Sequence, residues 1–182
     1  GNPRLHPAEV HRAEAEALGA RGALLVMPGS QWATKAWPEG QFAKLLDRLD
    51  GPVLLMGAPT EHDLCARLAE GRDHVVNGAG ALSLLGLAAA VGMARGVVAN
   101  DSAPLHVASA MDTPTVALFA STVPRFGFGP RASRHKVVEL TCRPCGMHGR
   151  KRCPEGHFLC GWELSVEDVS QAIQEVCAGD EV

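Results

Sequence analysis

Short apolar runs recur along the chain, and each is bounded by glycine, proline, aspartate or asparagine. They lack the alternation of apolar and polar residues that half-exposed antiparallel strands show. The pattern therefore predicts strands that are buried on both faces. We expect these strands at residues 23–27, 52–56, 74–76, 96–99 and 115–119.

Segments with the helical spacing of apolar residues separate these runs. Because strand and helix alternate, we predict an α/β fold, a Rossmann-like doubly wound parallel sheet with helices on both faces. Two further helices, before the first strand and at the end of the chain, are expected to pack on the sheet. The predicted helices cover residues 7–20, 38–50, 59–71, 83–94, 104–111 and 165–178.

The region 120–162 interrupts this alternation. It is richer in glycine, proline, arginine and cysteine, and it is longer than most loops of a compact domain. We expect it to carry a function or a stabilising cross-link. The chain as a whole, 1–182, is interpreted as a single domain with a cysteine-rich loop at about 140–162.

Composition excludes some classes of function. A chain of 182 residues with 46% apolar residues can form one full-sized domain. The formal net charge of −3 provides no basic surface for nucleic acid, which is therefore not an expected partner. No apolar stretch approaches the roughly 20 residues that span a bilayer. The N-terminal residues contain no recognisable secretory signal, so a cytoplasmic location is expected.

Polar residues follow the fourth predicted strand directly. Ligands of open parallel sheets bind beyond the carboxyl ends of the strands, and Asp101 and Ser102 lie at such an end. His106 follows about one turn into the next helix, whose free N–H groups suit phosphate oxygens. The alternative interpretation is structural: Asp101 or Ser102 caps the helix 104–111, and His106 has no ligand.

Two more strand ends carry candidate binding residues. After the first strand come Gly29, Ser30 and Lys35, in a loop with neither GxGxxG nor GxxxxGK[ST] spacing. A lysine beside a hydroxyl and a glycine can neutralise a diphosphate, although Lys35 could equally be a solvated charge. Glu61 follows the second strand, where it can accept from ribose hydroxyls or serve only as a first-turn acid.

These strand ends resemble, in order and spacing, the bacterial lipopolysaccharide heptosyltransferases that use ADP-heptose, glycosyltransferase family 9. The resemblance runs from about residue 20 to the end of the chain. Its closing part, "CRPCGMHGRKRCPEGHFLC", looks most like heptosyltransferase II relatives. The other stretches that carry it are "PGSQWATKAWP", "GAPTE" and "NDSAPLHVASAMDTPTVALFASTVP".

The resemblance implies the C-terminal, donor-binding domain of a two-domain GT-B glycosyltransferase, without the N-terminal acceptor domain. It implies that the diphosphate contacts Ser30 and Lys35 and that Glu61 lies at the nucleoside ribose. No cofactor is implied for catalysis.

For the loop after the fourth strand, the resemblance implies that Asp101 reaches sugar hydroxyls and that His106 stands near the sugar-phosphate. Ser102 and Ala103 are expected to present backbone amides to phosphate. Family members often carry threonine or glycine at these two positions. Since the backbone acts there, we discount this departure.

Six cysteines fall into two groups. Cys65 and Cys177 lie in predicted helices and are interpreted as buried free thiols. The others lie in the cysteine-rich loop, together with His148 and His157. In a reducing compartment this cluster favours a structural zinc site, while two disulfides or free thiols are the alternatives. The candidate zinc ligands are Cys142, Cys145, Cys153 and Cys160.

The predicted function is the donor-binding part of an inverting heptosyltransferase that moves heptose from ADP-heptose to the lipopolysaccharide inner core. The general base is expected in the N-terminal half, so no catalytic residue is assigned within this chain. A location at the inner face of the inner membrane is a further expectation. The alternatives are a stand-alone nucleotide-binding module and a zinc-stabilised interaction domain.

Overall fold

A computed structural model describes residues 3–178 of the chain. Six parallel strands form one sheet in the order β3-β2-β1-β4-β5-β6. The predicted doubly wound parallel sheet is thereby confirmed. The strands are β1 Leu24–Met27, β2 Val53–Leu55, β3 Val75–Asn77, β4 Gly96–Asn100, β5 Thr115–Phe119 and β6 His135–Glu139.

The pattern of apolar runs did not predict β6, which lies inside the region 120–162. This strand pairs with β5 at the edge of the sheet, so much of it is exposed. Its only fully buried residue is Val138, and its exposed positions are polar. An edge strand of this kind has no continuous apolar run by which it could be recognised.

The helices lie within or beside their predicted segments. The segment 59–71 is divided into a 3-10 turn at Pro59–Glu61 and a following α-helix. A short helix in the cysteine-rich region was not predicted. The helices are α1 Glu9–Ala17, α2 Glu39–Leu46, α3 His62–Ala69, α4 Leu84–Met93, α5 Ala103–Met111, α6 Leu159–Trp162 and α7 Val166–Cys177.

Two apolar cores explain why the four central strands, β1, β2, β4 and β5, are almost entirely apolar. Leu24 and Val26 of β1 pack in the core beneath α2, α3 and α7, while Leu25 and Met27 pack in the core on the opposite face, beneath α1, α4 and α5. Successive strand side chains point to opposite faces, so every residue of the four central strands β1, β2, β4 and β5 is buried. The result is a rigid platform beneath the loops at the carboxyl ends of the strands. The prediction of a strand buried on both faces is wrong for β3, which lies at the edge of the sheet and leaves Val76 exposed.

The strand order reverses between β1 and β4, which opens a crevice between the loops that follow them. Asn100, at the end of β4, is fully buried and bridges this crevice at its base. Its side-chain amide donates to the Pro28 carbonyl at 2.8 Å, and its oxygen accepts from the Trp37 N–H at 2.9 Å. The β1 loop is thus attached to β4 at both of its ends.

No helix within residues 3–178 combines the length and the apolar character that crossing a membrane requires.

Candidate functional site

A cavity of about 610 Å³ lies at the crevice between β1 and β4. It is open to solvent and lies at the carboxyl ends of the strands. All the candidate binding residues predicted from the strand ends line it. These residues are Ser30, Lys35, Glu61, Asp101, Ser102, Ala103 and His106.

The charged wall of this cavity consists of Lys35, Asp101 and the start of α5, and the fully buried Thr122 supports it through Asp101. The Lys35 ammonium lies 2.7 Å from Asp101 Oδ2, and the Thr122 hydroxyl donates to the same oxygen at 2.5 Å. The side chains of Lys35 and Asp101 are only 13% and 4% exposed. Lys35 is therefore not the solvated loop charge that one interpretation allowed, because it is half of a buried ion pair.

The hypothesis of a helix cap is wrong for both candidates. Ser102 is the N-cap residue of α5, but its side chain makes no capping hydrogen bond, and its hydroxyl donates instead to the Asn100 carbonyl at 3.1 Å. The Asp101 carboxylate is occupied by Lys35 and Thr122. A tertiary ion pair has replaced the local interaction that sequence spacing suggested.

The start of α5 provides backbone donors beside this ion pair. The amides of Ser102 and Ala103 precede the first possible intrahelical hydrogen bond, and Pro104 contributes no N–H at all. Aligned peptide dipoles add partial positive charge at this end of the nine-residue helix. The charged wall therefore offers an ammonium and free amides to an anionic group.

The apolar wall lies across the cavity and comes from the segments that follow β2 and β3. Its apolar side chains are Met56, Pro59, Leu82, Leu84 and Leu87. The Gly80 N–H donates to the Gly57 carbonyl at 3.0 Å, which holds these two segments together. Such a wall suits a flat apolar group such as a nucleobase.

Glu61 lies at the edge of the apolar wall, where its carboxylate accepts from the Ala58 N–H at 2.8 Å. Its side chain passes over Gly29: a Cβ built on Gly29 would lie 1.6 Å from Glu61 Oε1. A glycine is therefore required at the end of β1 for the carboxylate to line the cavity. The local hydrogen bond and the position at the cavity are compatible, so contact with ribose hydroxyls stays a prediction.

Besides the apolar wall, sequence reasoning missed two residues, Phe128 and the fully buried Thr122 that donates to Asp101. Phe128 lines the cavity, with its ring centroid 5.9 Å from Lys35 Nζ and 6.5 Å from the ring of His106. Both residues follow β5 in the region 120–162, for which no structure was predicted. Phe128 has no sequence signal beyond its place after the carboxyl end of a strand, whereas Thr122 lies within the stretch "NDSAPLHVASAMDTPTVALFASTVP" that carries the family resemblance.

The four candidate zinc ligands do not form a metal site in the structure. Within residues 3–178, no group of three or more histidine, cysteine, aspartate or glutamate side chains is arranged to hold a metal ion, and the six cysteines are free thiols. The thiols are nevertheless neighbours. Burial, followed by the charges of Cys145, Cys142 and Cys153, raises the pKa of Cys160 to about 11. The donor chemistry suits zinc, but the geometry does not.

Backbone hydrogen bonds anchor the cysteine-rich segment, residues 140–162. The Cys145 N–H donates to the Ser121 carbonyl at 3.0 Å, and the Thr34 N–H donates to the Arg150 carbonyl at 3.1 Å. These contacts place the segment against the β1 and β5 loops without any contribution from sulfur.

Comparison with known proteins agrees with this geometry. The profile described as Glycosyltransferase family 9 (heptosyltransferase) matches residues 3–159. The chain belongs to glycosyltransferase family 9. The resemblance inferred from the strand-end motifs is confirmed.

Family members with assigned functions share substantial identity with the chain. Lipopolysaccharide heptosyltransferase 1 of Pseudomonas aeruginosa is 35% identical over 127 residues, which cover 67% of this chain and 36% of that protein. Lipopolysaccharide heptosyltransferase 2 of Salmonella typhimurium is 28% identical over 152 residues, covering 79% and 42% respectively. The matches therefore span less than half the length of these relatives.

Solved structures of the family share the fold. Escherichia coli ADP-heptose lps heptosyltransferase II superposes with a TM-score of 0.80 at 21% identity, covering 99% of this chain and 55% of the other. Escherichia coli heptosyltransferase WaaC with ADP-2-deoxy-2-fluoro heptose gives a TM-score of 0.64 at 24% identity, covering 96% and 50%. The chain thus has the fold of about half of each family 9 structure.

Proposed function

We propose that this chain is the donor-binding domain of an inverting heptosyltransferase, which transfers heptose from ADP-heptose to the lipopolysaccharide inner core. One observation carries the proposal: the buried Lys35–Asp101 pair and the free amides of α5 line the same cavity as an apolar wall. A nucleoside diphosphate combines an apolar base with a compact double negative charge. The two walls complement these two parts.

In the proposed reaction, an acceptor hydroxyl oxygen attacks the anomeric carbon of the donor. The bond from that carbon to the diphosphate oxygen breaks, and ADP leaves with the bonding electrons. Negative charge therefore grows on the diphosphate in the transition state. Lys35 and the amides of Ser102 and Ala103 would stabilise this charge, since an ammonium has three N–H donors and Asp101 need occupy only one.

The remaining candidate residues receive roles in binding. We assign the Ser30 hydroxyl to the diphosphate and the Glu61 carboxylate to the ribose hydroxyls. We assign Asp101 to the sugar hydroxyls and His106 to the neighbourhood of the sugar-phosphate. None of these roles requires a cofactor.

The base that accepts the proton of the acceptor hydroxyl is proposed to lie outside this chain. The matches span about two fifths of the first relatives, which leaves room for an acceptor domain in the full-length protein. We therefore expect this chain to bind donor without transferring sugar. In the full protein, transfer would occur on the cytoplasmic side of the inner membrane.

The test is titration calorimetry with ADP and ADP-heptose. We expect the unaltered chain to bind both, and Lys35→Ala to weaken ADP binding by about 1.5 to 3 kcal/mol, the range for hydrogen bonds to charged groups. Lys44→Ala is the matched control, because Lys44 is exposed on α2 and does not line the cavity. Failure of the unaltered chain to bind either ligand would contradict the proposed function.

A further inference from the structure

The cysteine-rich segment folds back onto the turn that carries Lys35. Two hydrogen bonds join Thr34, in the 3-10 turn Ala33–Lys35, to Arg150. The Thr34 N–H donates to the Arg150 carbonyl at 3.1 Å, and the Arg150 N–H donates to Thr34 Oγ1 at 2.8 Å. This reciprocal pair connects residues 116 positions apart in the chain.

Ser121 completes the anchorage of the turn. Its hydroxyl donates to Thr34 Oγ1 at 3.0 Å, and its N–H donates to the Thr34 carbonyl at 3.2 Å. Its own carbonyl accepts from the Cys145 N–H. Thr34 and Ser121 are both buried, so removal of the Thr34 hydroxyl would leave buried donors without an acceptor.

Gly149 brings the segment into direct contact with Lys35. A Cβ built on Gly149 would lie 2.3 Å from the Cβ of Trp32 and 2.6 Å from Cγ of Lys35, closer than carbon atoms can approach. The next residue back, His148, contacts Phe128 with ring centroids 6.4 Å apart, and that ring lies near the Lys35 ammonium. The segment therefore touches both the stem of Lys35 and the ring beside its charge.

We propose that Thr34, Gly149 and Arg150 are positioning residues that fix Lys35 for the diphosphate of the donor. The inference rests on the proposed role of Lys35 in donor binding. A lysine side chain has considerable rotamer freedom, and holding its stem against Gly149 reduces the entropy that ligand binding must remove. The cysteine-rich segment would thus act in donor binding through its backbone, without its thiols.

A double-mutant cycle on ADP affinity tests this. We expect Thr34→Val to weaken ADP binding by about tenfold, because it removes the acceptor for Arg150 and Ser121, and Thr34→Ser to stay within about twofold. If Thr34 acts through Lys35, Thr34→Val should have almost no further effect in a Lys35→Ala background. Equal effects of Thr34→Val in both backgrounds would overturn the proposal, since a purely structural role is independent of Lys35.

Gly149→Ala provides a second variant in case Thr34→Val does not fold. We expect it to weaken ADP binding by about tenfold or more, as Lys35 is displaced. Gly40→Ala is the control, because a Cβ on Gly40 meets nothing within 4 Å. Failure of the proposed function and failure of the positioning role give different results. Unaltered ADP affinity in Lys35→Ala contradicts the proposed function. Weakened ADP binding in Lys35→Ala, together with full ADP affinity in Gly149→Ala, contradicts only the positioning role.

Discussion

The two walls of the cavity are built in different ways. The charged wall joins Lys35 and Asp101 from two separate loops in a largely buried ion pair, and Thr122 from a third loop donates to Asp101. The apolar wall comes from loops that follow two neighbouring strands, β2 and β3, and the Glu61 carboxylate at its edge bonds within its own turn. We therefore expect substitutions in the charged wall to affect both stability and binding, and substitutions at the edge of the apolar wall to affect binding alone.

The largest effect is expected for Asp101→Asn, which leaves the largely buried Lys35 side chain without its counter-charge. Breaking a buried pair from one side costs about 3 to 5 kcal/mol, and we expect the lower end because Thr122 can still donate to the amide oxygen. Urea denaturation measures the free energy of unfolding. Asp63→Asn is the control, since the Asp63 side chain is 95% exposed, and a change of less than about 0.5 kcal/mol is expected there.

Equal stability of the Asp101→Asn and Asp63→Asn variants would remove the contrast between the walls. The same Asp101→Asn protein also tests the proposed contact between Asp101 and the sugar hydroxyls. A loss of affinity for ADP-heptose that exceeds the loss for ADP would support contact between Asp101 and the sugar.

A smaller effect is expected for Glu61→Gln at the edge of the apolar wall. A carboxylate that accepts from ribose hydroxyls should lose about 1 kcal/mol of binding free energy on this change, for ADP and adenosine alike, because both carry the ribose. The free energy of unfolding should hardly change. Glu70→Gln, on the exposed end of α3, is the control for general charge effects.

Adenosine also separates the two walls, because it lacks the diphosphate. Lys35→Ala should weaken ADP binding and leave adenosine binding unchanged, whereas Glu61→Gln should weaken both. If Glu61→Gln affected only ADP, the carboxylate would belong with the charged wall instead.

The smallest effect concerns the thiols, and at neutral pH it changes neither the free energy of unfolding nor the affinity for ADP. Burial, followed by the charge of Glu61, raises the pKa of Cys65 to about 12. At pH 8.5 the Cys65 thiol stays protonated and buried, so iodoacetamide should leave it intact. The half-buried Cys142 should be modified. Mass spectrometry of peptides measures both. Above pH 9 the unfolded chain loses the Cys65 proton first, so the contribution of Cys65 to stability falls as pH rises towards 12.

Elemental analysis of the zinc content of the protein tests whether the cysteine-rich segment binds a metal ion. The described geometry predicts free thiols at Cys142, Cys145, Cys153 and Cys160 and no stoichiometric zinc. One zinc per chain, with a melting temperature that falls on chelation, would restore the zinc hypothesis, because structural zinc binding is coupled to folding.

Much of the fold could be predicted because its signals are local. Four strands, β1, β2, β4 and β5, are buried on both faces and leave uninterrupted apolar runs, and the helices between the strands leave a helical period. The candidate residues could be found for the same reason, since the carboxyl end of a parallel strand is where a ligand binds. Strand β6 escaped prediction because an edge strand, largely exposed, needs no apolar run.

The sequence by itself determined that the polar candidate residues after β1, β2 and β4 reach the cavity, since burying the apolar runs forces these loops to one edge of the sheet. Only the tertiary structure decided what those residues do to one another. Spacing suggested that Asp101 or Ser102 caps α5, whereas packing pairs Asp101 with Lys35 and Thr122. Sequence patterns report neighbours along the chain, but a buried charge is stabilised by whichever partner the fold brings within a few ångströms.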